Sequence, residues 1–272
     1  MKFNGKTKYV LTIIIFIIFI TNIFYWFEYY ENTEMAIQKR TLKKDGFIVI
    51  GGGGGGGGGD NIADNERIMY PLGGKGVYEF PPPKITENVM GHLPEGYVFM
   101  DYVYKINDVS LSTFHRDVTS SKNVHGTKYP TYTLILYKYG GELLSVCPES
   151  HNTYPFVWSN IVNIEGKNGT YFLFDCDLLH CGQLNHCKKR TVIQYKICHK
   201  DDIPKLLHLQ GIRKTKTETC RNDVGPFLMR KLSYYFEFPI NYIFTPLLIK
   251  REENNIIGYI QSFIPVSFYN NY

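Results

Sequence analysis

Apolar positions are distributed along this chain in two ways. Residues 10–27 form one nearly unbroken apolar run with no charged side chain, whereas from Tyr97 onward apolar residues come in short runs separated by Gly, Pro, Asn and Asp. As a helix the first run would span about 27 Å, close to the hydrocarbon core of a bilayer. Tyr25 and Trp26 fall where an interfacial belt would sit. Lys2, Lys6 and Lys8 precede the run, and Glu28, Glu31 and Glu34 follow it. The positive-inside rule then predicts a cytosolic N-terminus over 1–8, a single-pass transmembrane signal-anchor over 9–27, and the remainder on the non-cytosolic side. A cleaved signal peptide is the competing reading, but its apolar region is usually shorter, and no small-x-small cleavage site is present here.

The short runs at 97–106, 132–139, 143–147, 170–174 and 191–198 read as strands, and many short strands between turn residues predict a sandwich or double-sheet barrel. Residues 28–44 are charged and lack Pro and Gly, so they read as a helical stalk or first helix, followed by Gly46 and a short apolar strand to Ile50. Gly51 through Gly59 is an unbroken glycine run, a flexible coil spanning about 15–18 Å. Asp60-Asn61-Ile62 follows it instead of Gly-Lys-Ser/Thr, which argues against a phosphate loop. Residues 85–93 read as a short helix. In the tail, 201–272, the apolar stretch 232–249 is broken by Glu237, Pro239, Asn241 and Pro246, and reads as a core or surface-lying helical segment in preference to a second span. Arg213-Lys214-Thr215-Lys216 reads as a solvated loop.

Composition adds little except by exclusion. The net charge of +5 comes with no dominant basic block and no nucleic-acid motif, so no nucleic-acid partner is expected. The cysteines Cys147, Cys176, Cys181, Cys187, Cys198 and Cys220 form an even set, available for disulfides on the non-cytosolic side. Asn168-Gly169-Thr170 is a glycosylation sequon, usable only on that side.

The candidate chemistry lies in His115-Arg116-Asp117, His180 and Arg190. Residues two apart on a strand share a face, so His115 and Asp117 present an imidazole and a carboxylate side by side. His180 supplies a third ligand after a strand pattern. Two imidazoles and one carboxylate suit a ferrous ion with its other face open. If 180 and 190 lie on a hairpin turning at Asn185-His186-Cys187-Lys188, His180 and Arg190 are cross-strand neighbours on one face. A guanidinium directed into that cavity needs an anion, and its fork suits a carboxylate. A second H-x-D, His199-Lys200-Asp201, has no partner histidine and arginine at matching spacing and reads as a solvated turn.

The arrangement resembles the Fe(II)- and 2-oxoglutarate-dependent dioxygenase superfamily, nearest to its phytanoyl-CoA dioxygenase and prolyl 4-hydroxylase branches. The resemblance rests on His115-Arg116-Asp117, His180 and Arg190, with supporting similarity at 140–151 and 42–50, and it covers roughly residues 38–200. It implies a mainly β fold with flanking helices: a double-stranded β-helix, the cupin-like jelly roll, over 28–200 behind the transmembrane helix. The glycine run at 51–59 is then an insertion in that domain or a linker. The resemblance further implies iron held by His115, Asp117 and His180, and 2-oxoglutarate held by Arg190. Ascorbate is a candidate auxiliary. Tyr132 and Tyr137 are further candidates for the cosubstrate site from their strand position. Several such families carry Ser two residues after the arginine, where this chain has Val192. The expected function is hydroxylation of an unidentified protein side chain, lipid or small molecule. Two alternatives stand beside it: a jelly-roll scaffold without turnover, and a zinc-stabilised module built on Cys176, Cys181, His186 and Cys187, whose spacings are loose for structural zinc.

Overall fold

The computed structural model describes residues 13–19, 31–36, 38–51, 80–108, 113–154, 156–157, 159–183, 190–217 and 225–237. Residues 13–19 are helical (α1), with all seven side chains exposed. No helix among the described residues is long and apolar enough to cross a membrane. The rest of the 9–27 span and glycines 52–59 lie outside the described residues.

In chain order the remaining elements are β1 (Glu31–Met35), β2 (Phe47–Ile50), α2 (Pro83–Gly91), β3 (Tyr97–Asn107), α3 (Lys122–His125), β4 (Tyr132–Tyr137), β5 (Gly141–Val146), β6 (Ile161–Gly166), β7 (Thr170–Asp175), β8 (His180–Gly182), β9 (Thr191–His199), a 3-10 helix (Lys200–Leu209), β10 (Ile212–Thr217) and α4 (Gly225–Tyr235). The strands form a six-stranded sheet in the order β10-β3-β9-β4-β7-β2 and a four-stranded sheet in the order β1-β6-β5-β8. From β4 to β9 the chain passes back and forth between the two sheets, a mainly β arrangement consistent with a cupin-like jelly roll.

β4 and β7, in the middle of the larger sheet, are buried at every position because both faces are covered, and are apolar except at Thr133, Thr170 and Asp175. Tyr132, Leu134 and Leu136 of β4 pack outward with Leu173, Ile193 and Tyr195, beneath Val89 of α2 and the adjacent Leu93. Ile135 and Tyr137 pack inward with Phe172, Phe174, Leu144 and Val146, between the sheets. Helix α2 begins at Pro83, where a missing N–H costs nothing. Gly46 (φ +84°) turns the chain into β2 and leaves room for His151, whose Nδ1 would lie 2.5 Å from a Cβ there.

Several expectations are corrected. Residues 31–35, read as part of a helical stalk, are an edge strand, β1, paired parallel to β6. The basic stretch 213–216 is no solvated loop: it lies in β10, parallel to β3, with Arg213 ion-paired to Asp101. Charge on an edge strand guards its unpaired backbone groups. His180 and Arg190 are not ladder neighbours, because β8 pairs with β5 whereas β9 pairs with β3 and β4. Cys147, Cys176, Cys181 and Cys198 are free and buried, so none of the four forms the disulfide the even count suggested; Cys187 and Cys220 lie outside the described residues. The described residues beyond 200 pack against the sheets: Leu206 and Leu209 on Met100, Tyr102 and Cys198, and Arg230 of α4, buried, against the smaller sheet, whereas residues 238–249 of the apolar stretch lie outside the described residues.

Candidate metal centre

Three loops and short strands converge at one end of the two sheets. His115 forms an isolated antiparallel bridge with His180, extending the smaller sheet by one residue. The Asp117 N–H donates to the Cys176 carbonyl at 2.8 Å, tying this ligand to the turn after β7. Arg116, between the two, points the other way by the strand period. Its buried guanidinium ion-pairs with Glu237, just beyond α4, and donates to the carbonyls of Ser150 and Asp177, so the segment carrying His115 and Asp117 is fastened to the chain that leaves α4.

His115, Asp117 and His180 each offer one ligand atom, and these atoms all lie within 4.8 Å of one another. Among the described residues no other group of at least three His, Cys, Asp or Glu does so, and the zinc alternative's His186 and Cys187 lie outside them. His115 Nδ1 is 2.9 Å from the Thr113 carbonyl, and His180 Nδ1 is 2.9 Å from the Leu178 carbonyl. A carbonyl only accepts, so Nδ1 carries the proton in both rings and each Nε2 keeps its lone pair. Those Nε2 atoms are 3.9 Å and 3.7 Å from the same oxygen, Asp117 Oδ1. The His180 side chain is 3% exposed, against 24% for His115 and 15% for Asp117, so the group is open on one side. Two imidazole nitrogens and a carboxylate oxygen with an open side are the donor set of a non-haem ferrous site.

The electrostatics suit a cation. Burial pushes the His180 imidazole down to about 3, and neighbouring His115 adds to this, so His180 is neutral and able to ligate at any ordinary pH. Burial alone would raise the Asp117 carboxyl, but Lys196, then His180 and His115, more than offset it and hold it well below the usual carboxylate range. Its second oxygen, Oδ2, accepts from Lys196 Nζ at 2.6 Å and from Thr133 Oγ1 at 2.5 Å. Lys196 and Thr133 went unnoticed in the sequence, where Lys196 sits within an apolar strand.

Arg190 immediately precedes β9. The period of two puts it on the face of Val192, Gln194 and Lys196, and Val192 packs in the cluster between the sheets. The guanidinium is mostly buried, lies 5.4 Å over the Tyr139 ring, and donates from Nη1 to the Gln183 carbonyl at 3.4 Å. Tyr137 meets Tyr139 edge-on at 5.6 Å, so it shares this deep end with Arg190. Tyr132 does not join it: it faces the outer cluster and meets the Tyr97 ring at a tilt, 5.5 Å between centroids. The second H-x-D is also elsewhere, with His199 mostly buried between Tyr97 and Tyr129 and accepting the Asp201 N–H at the start of the 3-10 helix.

No family model matches the chain, and no curated protein matches it. Solved structures resemble it distantly. EvdMO1 is 12% identical, over 58% of this chain and 48% of that one, with a TM-score of 0.38. EctD from S. alaskensis, in its apoform, is 15% identical over 62% of this chain and 80% of its own, with a TM-score of 0.37. EvdO2 from Micromonospora carbonacea var. aurantiaca, complexed with 2-oxoglutarate, is 10% identical over 58% and 88%, with a TM-score of 0.33. The chain spans about half the length of EvdMO1. Likenesses at this level carry no functional conclusion; the side chains of the centre have to carry it.

Proposed function

We propose that the chain is a non-haem iron oxygenase using 2-oxoglutarate, held to a membrane by residues 9–27. One observation carries the enzymatic reading: two imidazole Nε2 atoms and one carboxylate oxygen converge with their lone pairs unused by hydrogen-bonded protons. His115, Asp117 and His180 would hold the iron. Bound there with 2-oxoglutarate and oxygen, it supplies oxidation of a substrate C–H bond, while the keto acid leaves as succinate and carbon dioxide.

The protein's share is positioning. Arg190 supplies a guanidinium whose neighbour, the Gln183 carbonyl, is three residues along from His180. That is about 10 Å at the rise of a strand. The ring of Tyr139 beneath the guanidinium keeps it from bulk water, which strengthens its pairing with a carboxylate.

The path of the chain supports a substrate presented near a bilayer. Asn32, Val162, Val146, His180 and His115 lie in one row across the smaller sheet and its bridge. Residue 27 can stand no more than about 18 Å from Asn32, the reach of five extended residues. An anchor over 9–27 therefore tethers the end of the barrel that carries the ligands. The exposed Phe156, in the loop that leads into β6, lies at that same end.

The test is turnover. Purified full-length protein with Fe(II) and oxygen is expected to convert 2-oxoglutarate to succinate, and His115→Ala and Asp117→Ala to abolish this. Equal turnover in wild type and variants refutes the assignment.

A further inference from the structure

We infer that Lys196 is a positioning residue of the metal centre: its ammonium leaves Asp117 one oxygen for the metal and supplies the positive charge that admits a dianionic cosubstrate. This rests on the oxygenase reading above.

The geometry is specific. The Lys196 side chain is 1% exposed. Its Nζ reaches Asp117 Oδ2 at 2.6 Å, Thr133 Oγ1 at 2.7 Å and Cys176 Sγ at 3.6 Å. Thr133 itself donates to Oδ2. Strands β4 and β9 pair these two residues nearly opposite each other, with Thr133 in register with Lys196. Oδ2 is thus occupied by two donors from the larger sheet, while Oδ1 faces both imidazoles. A carboxylate held this way would offer a metal one oxygen only, leaving room on the open side for a cosubstrate.

Charge gives the second part. A buried ammonium is costly to keep unless it is paired, and an apolar side chain would fill this place on β9 at less cost. Asp117, Lys196, Arg190 and two neutral ligating imidazoles sum to +1. A divalent ion would bring the centre to +3, and the 2-oxoglutarate dianion would return it to +1. Without Lys196 the same sums are +2 and zero, so a diacid entering the metal-loaded centre would meet less positive charge. The lysine therefore weakens the hold on the cation and strengthens the hold on the diacid.

Those opposite signs make the test. Full-length apoprotein is titrated with Co(II) and then with 2-oxoglutarate, following heat and the visible Co(II) spectrum. Lys196→Met is expected to bind Co(II) at least threefold more tightly than wild type and 2-oxoglutarate at least tenfold more weakly. Lys196→Arg, which keeps the cation, is expected to restore diacid affinity to within threefold. A merely structural lysine moves both affinities the same way, so a Lys196→Met protein that weakens both, or changes neither, overturns the proposal. If that variant does not fold, Lys196→Gln carries the same expectation. Wild type that takes up Co(II) but no diacid refutes the oxygenase reading and with it the diacid half of the proposal, while the Co(II) affinities still judge whether Lys196 positions Asp117 and lowers the hold on the cation. Wild type that takes up no Co(II) refutes both.

Discussion

His115 and His180 exchange both of their backbone hydrogen bonds, N–H to carbonyl at 2.9 Å in one direction and 3.0 Å in the other. The two rings stand 4.5 Å apart as a result. The main chain beneath two ligands is therefore fixed by sheet pairing whether or not a cation is present.

The first prediction follows from that pairing. Stripping metal with a chelator is expected to leave the far-ultraviolet circular dichroism unchanged, and added metal to rebind. His115→Ala, which keeps the bridge and removes only the imidazole, should lose at least 100-fold in metal affinity with a melting-temperature change of no more than about 3 °C, since the cost of a partly exposed side chain is small. Loss of the fold on chelation would contradict this.

Arg190→Met is expected to weaken 2-oxoglutarate binding at least tenfold and leave metal affinity within about twofold. A bidentate guanidinium–carboxylate pair out of water is worth roughly 1.5–3 kcal/mol, which sets that scale. Calorimetry on the metal-loaded protein measures both. Unchanged diacid affinity would remove Arg190 from the site.

The contribution of Asp175 to stability should fall as pH rises from about 4 to about 7, against the opposite trend from the buried His180, so it is read as the difference between wild type and an Asp175 variant. Burial, with neighbouring Asp177 next, pushes its carboxyl up to about 7. A carboxyl raised in the folded state contributes fully below its unfolded value near 4 and loses that contribution as pH rises through its folded value. Asp175→Asn, which still offers an oxygen to the Asp177 N–H now held at 2.8 Å, is expected to raise the melting temperature at pH 8 by several degrees and not at pH 4. Thermal melts across that range decide it; equal gains at both pH values would point to packing instead.

The thiols give a fourth check. Burial pushes Cys176 and Cys181 up to about 12 and Cys198 up to about 11, and raises Cys147 well above the ordinary thiol range. Thiolate is the reactive form, so these four should resist alkylation in the native protein and react on unfolding. Mass spectrometry after brief alkylation is expected to find no label at these four until the protein is unfolded; label on them in the native protein would contradict their burial.

How much of this was readable in advance depended on burial. β4, β7 and β9 announce themselves because each is covered on both faces and had to be apolar. The three side chains that converge as candidate ligands were picked out by residue type, order and spacing. β1 and β10 were missed because they are edge strands: each is paired on one side only and carries polar side chains, so neither leaves an apolar signature. The hairpin expected between His180 and Arg190 failed because that connection crosses from one sheet to the other, and spacing along a chain does not distinguish a turn within a sheet from a turn between two. Lys196 was overlooked because a lysine on a strand is ordinarily directed to water. The same period of two that put Arg190 between the sheets puts Lys196 there as well, and that signal was available.

Strand β1 and helix α4 hold one another in place through Glu31 and Arg230. Arg230 is buried, donates from Nε to Glu31 at 3.1 Å, and reaches on to Ser145 at 2.6 Å. Deleting one partner of such a pair leaves the other charge buried without its counter-ion, which destabilises. A shortened chain should therefore begin ahead of residue 31. A truncation that starts at the turn before β2 would take the carboxylate from Arg230, leaving it neutral partners at Cys181, Gly182, Ser145 and Asn163, and would loosen α4 against the smaller sheet.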